Sequence, residues 1–506
     1  MKNKSDRIWL AIVLIIALVL RFVGINHGFP FIFHPDEPAL VRAALELRFY
    51  PNPGHFDWPH LYMYLNYFLY MGFAYIRNLV GVFGFKDTLN TLLPIIWDDT
   101  LIYYLLTRMF SALLGVLTVI PIYLATRNTF GKRIGLIAAL SFAVIPYHMW
   151  SSHYALIDVP MLFFVAWGVY FSLAVLKRSN TNDYAGAGFY IGLAASTKYN
   201  GGLTILTIPF AHLIRVIKNK EKLFNLTSLW NLSVTVFTSM IGFLIGTPYA
   251  LLDYSTFIRR DSYKGALWQL KNVGSIEIPD RIPEFFNEMI NKVSDDFGYT
   301  ILIGFFVVFS ILMYRVLAKK QTDKDTALWF LVISGIYLLF HVSGFSKSRS
   351  HYYFIAYPYV TICFAYFVDL LLKKFGDKNK IIGFLIFISL IGPPAFMSVR
   401  NAYIYAVPDT RVDTYRWLKT NLKIDDLLVY DKESLSMITD KFKNRKIKGE
   451  SGMQNNSQGI VVVSYDSNCN CTDFSLTKYA TQIKKLVEFS GELKKGPKIE
   501  IYSLNK

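Results

Sequence analysis

Two adjacent carboxylates, Asp36 and Glu37, stand in the run Phe33-His34-Pro35-Asp36-Glu37-Pro38, held between prolines. Such a pair can take a proton from an attacking hydroxyl or amine, or bind a divalent cation. The same residues also make a good first turn for a helix over 39–47, because proline and acids suit a helix N-terminus. The residues alone weigh catalysis and capping evenly. A third acid, Asp158, precedes Val159-Pro160 at the start of an apolar run. Acids at membrane depth are costly and usually functional, although an acid before proline also caps a helix.

Cations of the opposite character come from elsewhere in the chain. Lys198 interrupts a long, mostly apolar stretch, in Ser196-Thr197-Lys198-Tyr199-Asn200-Gly201-Gly202. An intramembrane lysine points to an anionic partner, a lipid phosphate being the obvious one, against the alternative of a snorkelling side chain. Arg349 and His351 fall in Lys347-Ser348-Arg349-Ser350-His351-Tyr352-Tyr353, and a guanidinium can hold a phosphate bidentately. His60, in Trp58-Pro59-His60, is a weaker candidate for phosphate or acceptor contact. An acid to activate an acceptor and cations to stabilise a departing phosphate are what a transferase with a lipid-phosphate donor needs.

The elements that must position these groups are membrane helices. The chain has 506 residues, of which 53% are apolar, 16% aromatic and only 18% charged, with mean hydropathy +0.33. A soluble protein carries about 25% charge. The apolar residues fall in blocks near twenty long, the length that crosses a bilayer. Composition excludes a cytosolic enzyme, a secreted disulfide scaffold and a disordered chain. Cys363 lies in an apolar block, and Cys469 and Cys471 are too close for an ordinary bridge.

Eleven crossings are expected, near 8–24, 101–125, 132–147, 158–176, 183–197, 201–217, 226–247, 299–316, 326–344, 353–372 and 381–399. Segments assigned inside carry 20 Lys and Arg in 48 residues, and those assigned outside carry 12 in 123. That asymmetry orients the chain with a cytoplasmic N-terminus, and it assigns the net charge of +17 to membrane topology, with no nucleic-acid partner. Every candidate residue above then lies on the outer face. The block 61–83 would invert the later loops if it crossed once. It is therefore expected to be re-entrant or juxtamembrane, its tyrosines suiting the interface, with a tight pair of crossings as the alternative.

Beyond Arg400 the composition turns polar and lysine-rich. Helical spacing over 413–422 and β-rich runs at 427–430, 460–465 and 499–504 predict a small α/β domain. The expected organisation is an all-α polytopic membrane domain over 1–400, with a catalytic outer loop at 27–60, and an extracytoplasmic α/β domain over 401–506.

The order of His34-Pro35-Asp36-Glu37, Trp58-Pro59-His60-Leu61-Tyr62, Arg108-Met109-Phe110-Ser111-Ala112-Leu113-Leu114-Gly115, Asp158-Val159-Pro160, 192–198 and 351–358 resembles the GT-C glycosyltransferases. Within them it is most similar to the protein mannosyltransferase-like branch that includes the aminoarabinose transferases. The resemblance covers 25–220 well and 340–420 loosely. It implies a polyprenyl-phosphate sugar donor, an inverting transfer at the outer face, and a lipid, glycan or protein acceptor. It also implies Asp36 as base, Glu37 as a residue that places the acceptor, and Lys198 near the donor phosphate. Two departures stand out. The family often has a double proline where this chain has Pro59-His60, and the Trp-Trp-Asp motif of oligosaccharyltransferases is missing. No cofactor is expected, a divalent cation being possible. The competing class is a polytopic transporter or flippase of lipid-linked sugars. Its charges belong near mid-membrane, often in paired repeats, whereas these lie at one face without a repeat.

Overall fold

A computed structural model describes residues 4–82, nearly all of 100–422, and 426–430, 446–448, 459–465, 483–491 and 493–504, with a few isolated positions between. Cys469 and Cys471 lie outside the described residues.

The apolar runs form helices. In chain order these are α1 (Lys4–Phe22), α2 (Asp36–Glu46), α3 (Leu61–Val82), α4 (Leu101–Leu117), α5 (Val119–Phe130), α6 (Lys132–Ala143), α7 (Pro146–Ser151), α8 (Asp158–Arg178), α9 (Thr181–Thr197), α10 (Thr207–Asn219), α11 (Leu226–Gly246), α12 (Tyr299–Leu317), α13 (Asp325–Ser343), α14 (Tyr357–Leu371), α15 (Lys380–Ala406) and α16 (Thr410–Asn421). Helix occupies each of the eleven segments expected to cross. Among the described residues, eight helical stretches are long and apolar enough to span a bilayer. The chain is a multi-pass membrane protein. Within the 61–83 block, Leu61–Val82 is one unbroken helix of 22 residues, too short for the tight pair of crossings. It is not among the eight, because its tyrosines, Asn66 and Arg77 dilute the hydropathy.

Close helix packing sets the position of the segment that carries Lys198. A side-chain carbon on Gly188 or Gly192 of α9 would come within 2.2 Å of the Thr235 carbonyl or 2.1 Å of the Ser239 carbonyl on α11. Gly242 of α11 meets the Phe189 carbonyl at 2.3 Å in the same way. Small residues let the two backbones touch, which is how membrane helices associate without a hydrophobic drive. At the same end, Ser196 Oγ and Thr247 Oγ1 are hydrogen-bonded at 2.7 Å.

The chain divides into two compact units. One holds 1–22 and 36–399, and the other holds 23–35 with 400–506. The division falls between 399 and 400 and, within 27–60, between Pro35 and Asp36. In the second unit a five-stranded sheet runs in the order β2-β1-β3-β5-β4. Its strands are β1 (Leu427–Tyr430), β2 (Lys446–Lys448), β3 (Gly459–Tyr465), β4 (Ile483–Phe489) and β5 (Lys498–Leu504). β1 pairs parallel with β2 and β3, and β5 pairs antiparallel with β3 and β4. Phe31 is buried in this unit's core beside Leu418, Leu428, Val462 and Ile501. The ring of Phe31 meets Tyr415 edge-on at 5.0 Å, and Arg411 lies 3.4 Å over Phe33. The segment immediately before Pro35-Asp36 is therefore fixed by aromatic packing in the C-terminal unit.

Candidate active site

Asp36 and Glu37 open α2 as its first two residues, as their helix-favouring chemistry dictates. One residue apart on a helix, their side chains diverge by about 100°. Asp36 is half-buried. Glu37 is completely buried, and both its oxygens are occupied. Oε1 accepts from Arg108 Nε at 2.7 Å and from the Ala155 backbone N–H at 2.9 Å, while Oε2 accepts from Arg108 Nη2 at 2.8 Å. This two-toothed pair ties α2 to α4 and to the loop before α8.

That pair gives physical content to the Arg108–Gly115 run. Arg108 holds Glu37. Ser111 shares a 2.8 Å hydrogen bond with the Tyr62 hydroxyl. Phe110 stacks on Tyr62 at 5.6 Å. Gly115 lets Ser152 approach, since a side-chain carbon there would sit 2.8 Å from Ser152 Oγ. One face of α4 thus supports α2, α3 and the 151–158 segment. Glu37 is placed as a strut, not as a group open to an acceptor.

Lys198 ends α9, where its backbone turns extended and points the side chain back toward α8. Its ammonium forms an ion pair with Asp158, and both side chains are largely buried. The anionic partner that the structure gives Lys198 is Asp158, which neutralises it in a low-dielectric setting, where an unpaired charge would be costly. Lys198 Nζ also lies 4.9 Å from the ring centroid of Tyr352. The Tyr352 carbonyl accepts from Asn200 Nδ2 at 3.3 Å.

Tyr352 is the meeting point. It lies within electrostatic reach of Arg349, Asp158 and Asp36. Lys198, paired with Asp158, lies by the Tyr352 ring, and the charges of Arg349, Asp158 and Asp36 act on the same residue. Arg349 is exposed, and its neighbour His351 is half-buried with its ring edge-on to Tyr352 at 4.7 Å. Beside them lies a mainly apolar cavity of about 190 Å³, walled by Trp58, Pro59, Lys198, Leu270, Phe345 and Tyr352.

His60 is not part of this wall. It is fully buried, its ring tilted against Phe56 at 4.7 Å, with Nε2 donating to the His55 carbonyl at 2.8 Å. Burial pushes its imidazole down to about 4, so it is neutral and carries no charge for a phosphate. The contacts the structure gives His60 are structural ones. The backbone N–H of His60 donates to Thr247 Oγ1 at 3.2 Å, tying the start of α3 to the end of α11.

Three features escaped the sequence. Tyr352 sits inside the basic run, but nothing in that run singles it out from Tyr353. The cavity wall at 269–274 comes from the loop between α11 and α12, which carries no motif. Asp296 is a carboxyl that burial raises to about 7, hydrogen-bonded to Ser350 and near Lys292, Asp295 and Glu288. Only its place in an acidic doublet, Asp295-Asp296, could have drawn notice.

Comparison with known proteins places this geometry. The family model described as dolichyl-phosphate-mannose-protein mannosyltransferase matches residues 105–245. Dolichyl-phosphate-mannose–protein mannosyltransferase 1 of Saccharomyces cerevisiae is 32% identical over 193 residues, which is 36% of this chain and 22% of that protein. The chain thus spans about a fifth of the length of that curated relative. Among solved structures, apo ArnT from Cupriavidus metallidurans superposes with TM-score 0.50 at 12% identity, covering 99% of this chain and 98% of the other. The Archaeoglobus fulgidus oligosaccharyltransferase tethered to an acceptor peptide gives TM-score 0.50 at 15% identity, covering 92% and 69%. The fold is the GT-C fold that the sequence motifs imply.

Proposed function

We propose that this protein is a membrane glycosyltransferase that moves a sugar from a polyprenyl-phosphate donor to an acceptor on the extracytoplasmic face, with inversion at the sugar carbon. The observation that carries the reading is the buried Lys198–Asp158 pair beside Tyr352 at the wall of an apolar cavity, with Asp36 and Arg349 within electrostatic reach of Tyr352. The match to a family described by a dolichyl-phosphate-mannose donor supports the donor class.

In this mechanism an acceptor hydroxyl oxygen forms a bond to the anomeric carbon from the side opposite the phosphate. The bond from that carbon to the phosphate oxygen breaks, and its electron pair leaves with the polyprenyl phosphate. The hydroxyl proton goes to the Asp36 carboxylate. The phosphate gains one negative charge as it departs, so cations placed there stabilise the transition state more than the ground state. Lys198 has three N–H donors, so an ammonium held by Asp158 can still donate to phosphate. Asp158 fixes its position. Arg349 supplies a second cation from the exposed side, with His351 and Tyr352 as neighbours. Glu37, held by Arg108, fixes the turn that aims Asp36, and through it the acceptor. Phosphate is a good leaving group, so no general acid and no divalent cation is required.

The test is incubation of the purified chain with radiolabelled polyprenyl-phosphate mannose, with and without membrane extract as acceptor source. Cleavage of the sugar–phosphate bond, as hydrolysis or transfer, supports the reading. Movement of intact donor between leaflets of proteoliposomes with no bond cleavage would overturn it in favour of a lipid-sugar transporter.

A further inference from the structure

The loop between α11 and α12 carries an apolar stripe that its own fold does not bury. A helix runs over Arg281–Glu288, widens by a π turn over Met289–Val293, and closes over Ser294–Phe297. Its inner side is settled. Phe285, Met289, Val293 and Phe297 are buried, Phe285 meets Phe340 of α13 at 5.8 Å, and Phe297 meets Tyr357 of α14 at 4.0 Å. Its outer side repeats at every fourth residue: Ile278, Ile282, Phe286 and Ile290 are 78%, 60%, 58% and 69% exposed. Side chains four apart on a helix share a face, so this is one continuous ridge.

Three further observations say what covers it. First, the helix passes through Gly298 directly into α12, whose exposed Tyr299 and Ile303 face outward as a spanning helix's lipid-facing residues do. The last ridge residue, Ile290, thus lies about two and a half helical turns before a membrane span. Second, the other end of the same loop repeats the pattern. Leu251, Leu252 and Tyr254 follow α11 at once and are all more than half exposed. Third, charged residues of both signs border the ridge: Arg281 and Glu284 stand within it, and Lys292 pairs with Glu288. An apolar ridge with a charged border at a juxtamembrane position is the signature of a helix lying in the headgroup zone.

We infer that the helix 281–293 is a membrane-interface anchor, its Ile278–Ile282–Phe286–Ile290 ridge seated in the lipid leaflet at that end of the bundle. The anchor is mechanically linked to the site. The Ile276 N–H donates to the Gly344 carbonyl at 2.9 Å, and the Lys347 N–H donates to the Val273 carbonyl at 3.2 Å. Lys292 Nζ donates to the Ser348 carbonyl at 3.3 Å. The loop is thereby fastened to the 344–348 stretch that leads into Arg349, and its Leu270 walls the cavity. Lipid contact at the ridge holds that wall at headgroup depth. The inference needs no sugar transfer to be true, and its test reads no activity.

The experiment uses the full chain in lipid nanodiscs, with Cys469 and Cys471 changed to Ser and the buried Cys363 kept. Nitroxide labels are placed one at a time through Ile282→Cys, Phe286→Cys and Ile290→Cys, with Asp261→Cys as a solvent control. Collision with oxygen, which partitions into lipid, is compared with collision with a water-soluble nickel chelate. The expected result is a higher oxygen-to-nickel ratio at all three ridge sites than at 261. A ratio equal to that at 261 overturns the inference, because the ridge then faces water. Labels immobilised and shielded from both reagents overturn it as well, because another polypeptide then covers the ridge. The labelled positions are exposed, so folding is preserved, and retained detergent-extract monodispersity checks it.

Discussion

Replacing Glu37 by Gln tests the assignment of this acid as a strut. The substitution keeps the side chain's shape, and the amide oxygen can still accept from the Ala155 N–H. What it removes is the anion opposite Arg108, whose side chain is 1% exposed against 0% for Glu37. The buried guanidinium loses both of its charge-assisted bonds to that anion. Breaking a buried pair by removing one partner costs about 3–5 kcal/mol. That is a factor of about 10²–10⁴ in the unfolding equilibrium. The assay is unfolding in mixed micelles by titration with a denaturing detergent, followed by helix signal. Arg108→Met removes the buried cation that Glu37 balances, so the double variant should recover stability, with a coupling of about 2–3 kcal/mol in the mutant cycle. An acid that merely contacts the acceptor predicts the opposite: normal stability and lost turnover. If Glu37→Gln unfolds like the parent chain and couples to Arg108→Met by less than about 0.5 kcal/mol, the strut reasoning is wrong.

Four other outcomes are expected. Asp36→Asn should bind donor normally and lose about 10²–10⁴-fold in transfer rate, as loss of a general base does, and retention of a tenth of the parent rate removes Asp36 from that role. Lys198→Ala should weaken donor binding by about 2–5 kcal/mol, measured by titration with polyprenyl phosphate, and Arg349→Ala by less because Arg349 is exposed; equal affinities would dismiss the clamp. Asp296 has its folded carboxyl raised from 3.8 to about 7, so the folded state holds a proton that the unfolded state has lost between those values. Stability should therefore fall as pH rises from about 4 to about 7 and then level, and Asp296→Asn should remove that slope in pH-dependent unfolding curves. A reporter fused after Lys506 should be active only outside the cytoplasm, and cytoplasmic activity would overturn the assigned orientation.

The sequence by itself determined the helices and much of the sheet. Bilayer-length apolar runs leave no other backbone solution, since buried N–H and C=O groups must pair within the segment. β1, β3 and β5 were legible because interior strands are rich in Val, Ile and Leu. β2 (Lys-Ile-Lys) and β4 (Ile-Lys-Lys-Leu-Val-Glu-Phe) were not, and the strand order explains it: they are the two edges of the sheet. Edge strands carry lysines that discourage further pairing, so they lose the apolar signal that marks their neighbours. The candidate residues were legible as types, because a charge in an apolar stretch is expensive wherever it sits. Their pairings were decided only by tertiary structure. Lys198 finds Asp158 across 40 residues, and Arg108 finds Glu37 across 71. His60 carries the same ring as His351, yet one is sealed under Phe56 and the other stands beside Tyr352. Burial and partner, not residue type, set whether each can carry charge, and both are properties of packing between distant segments.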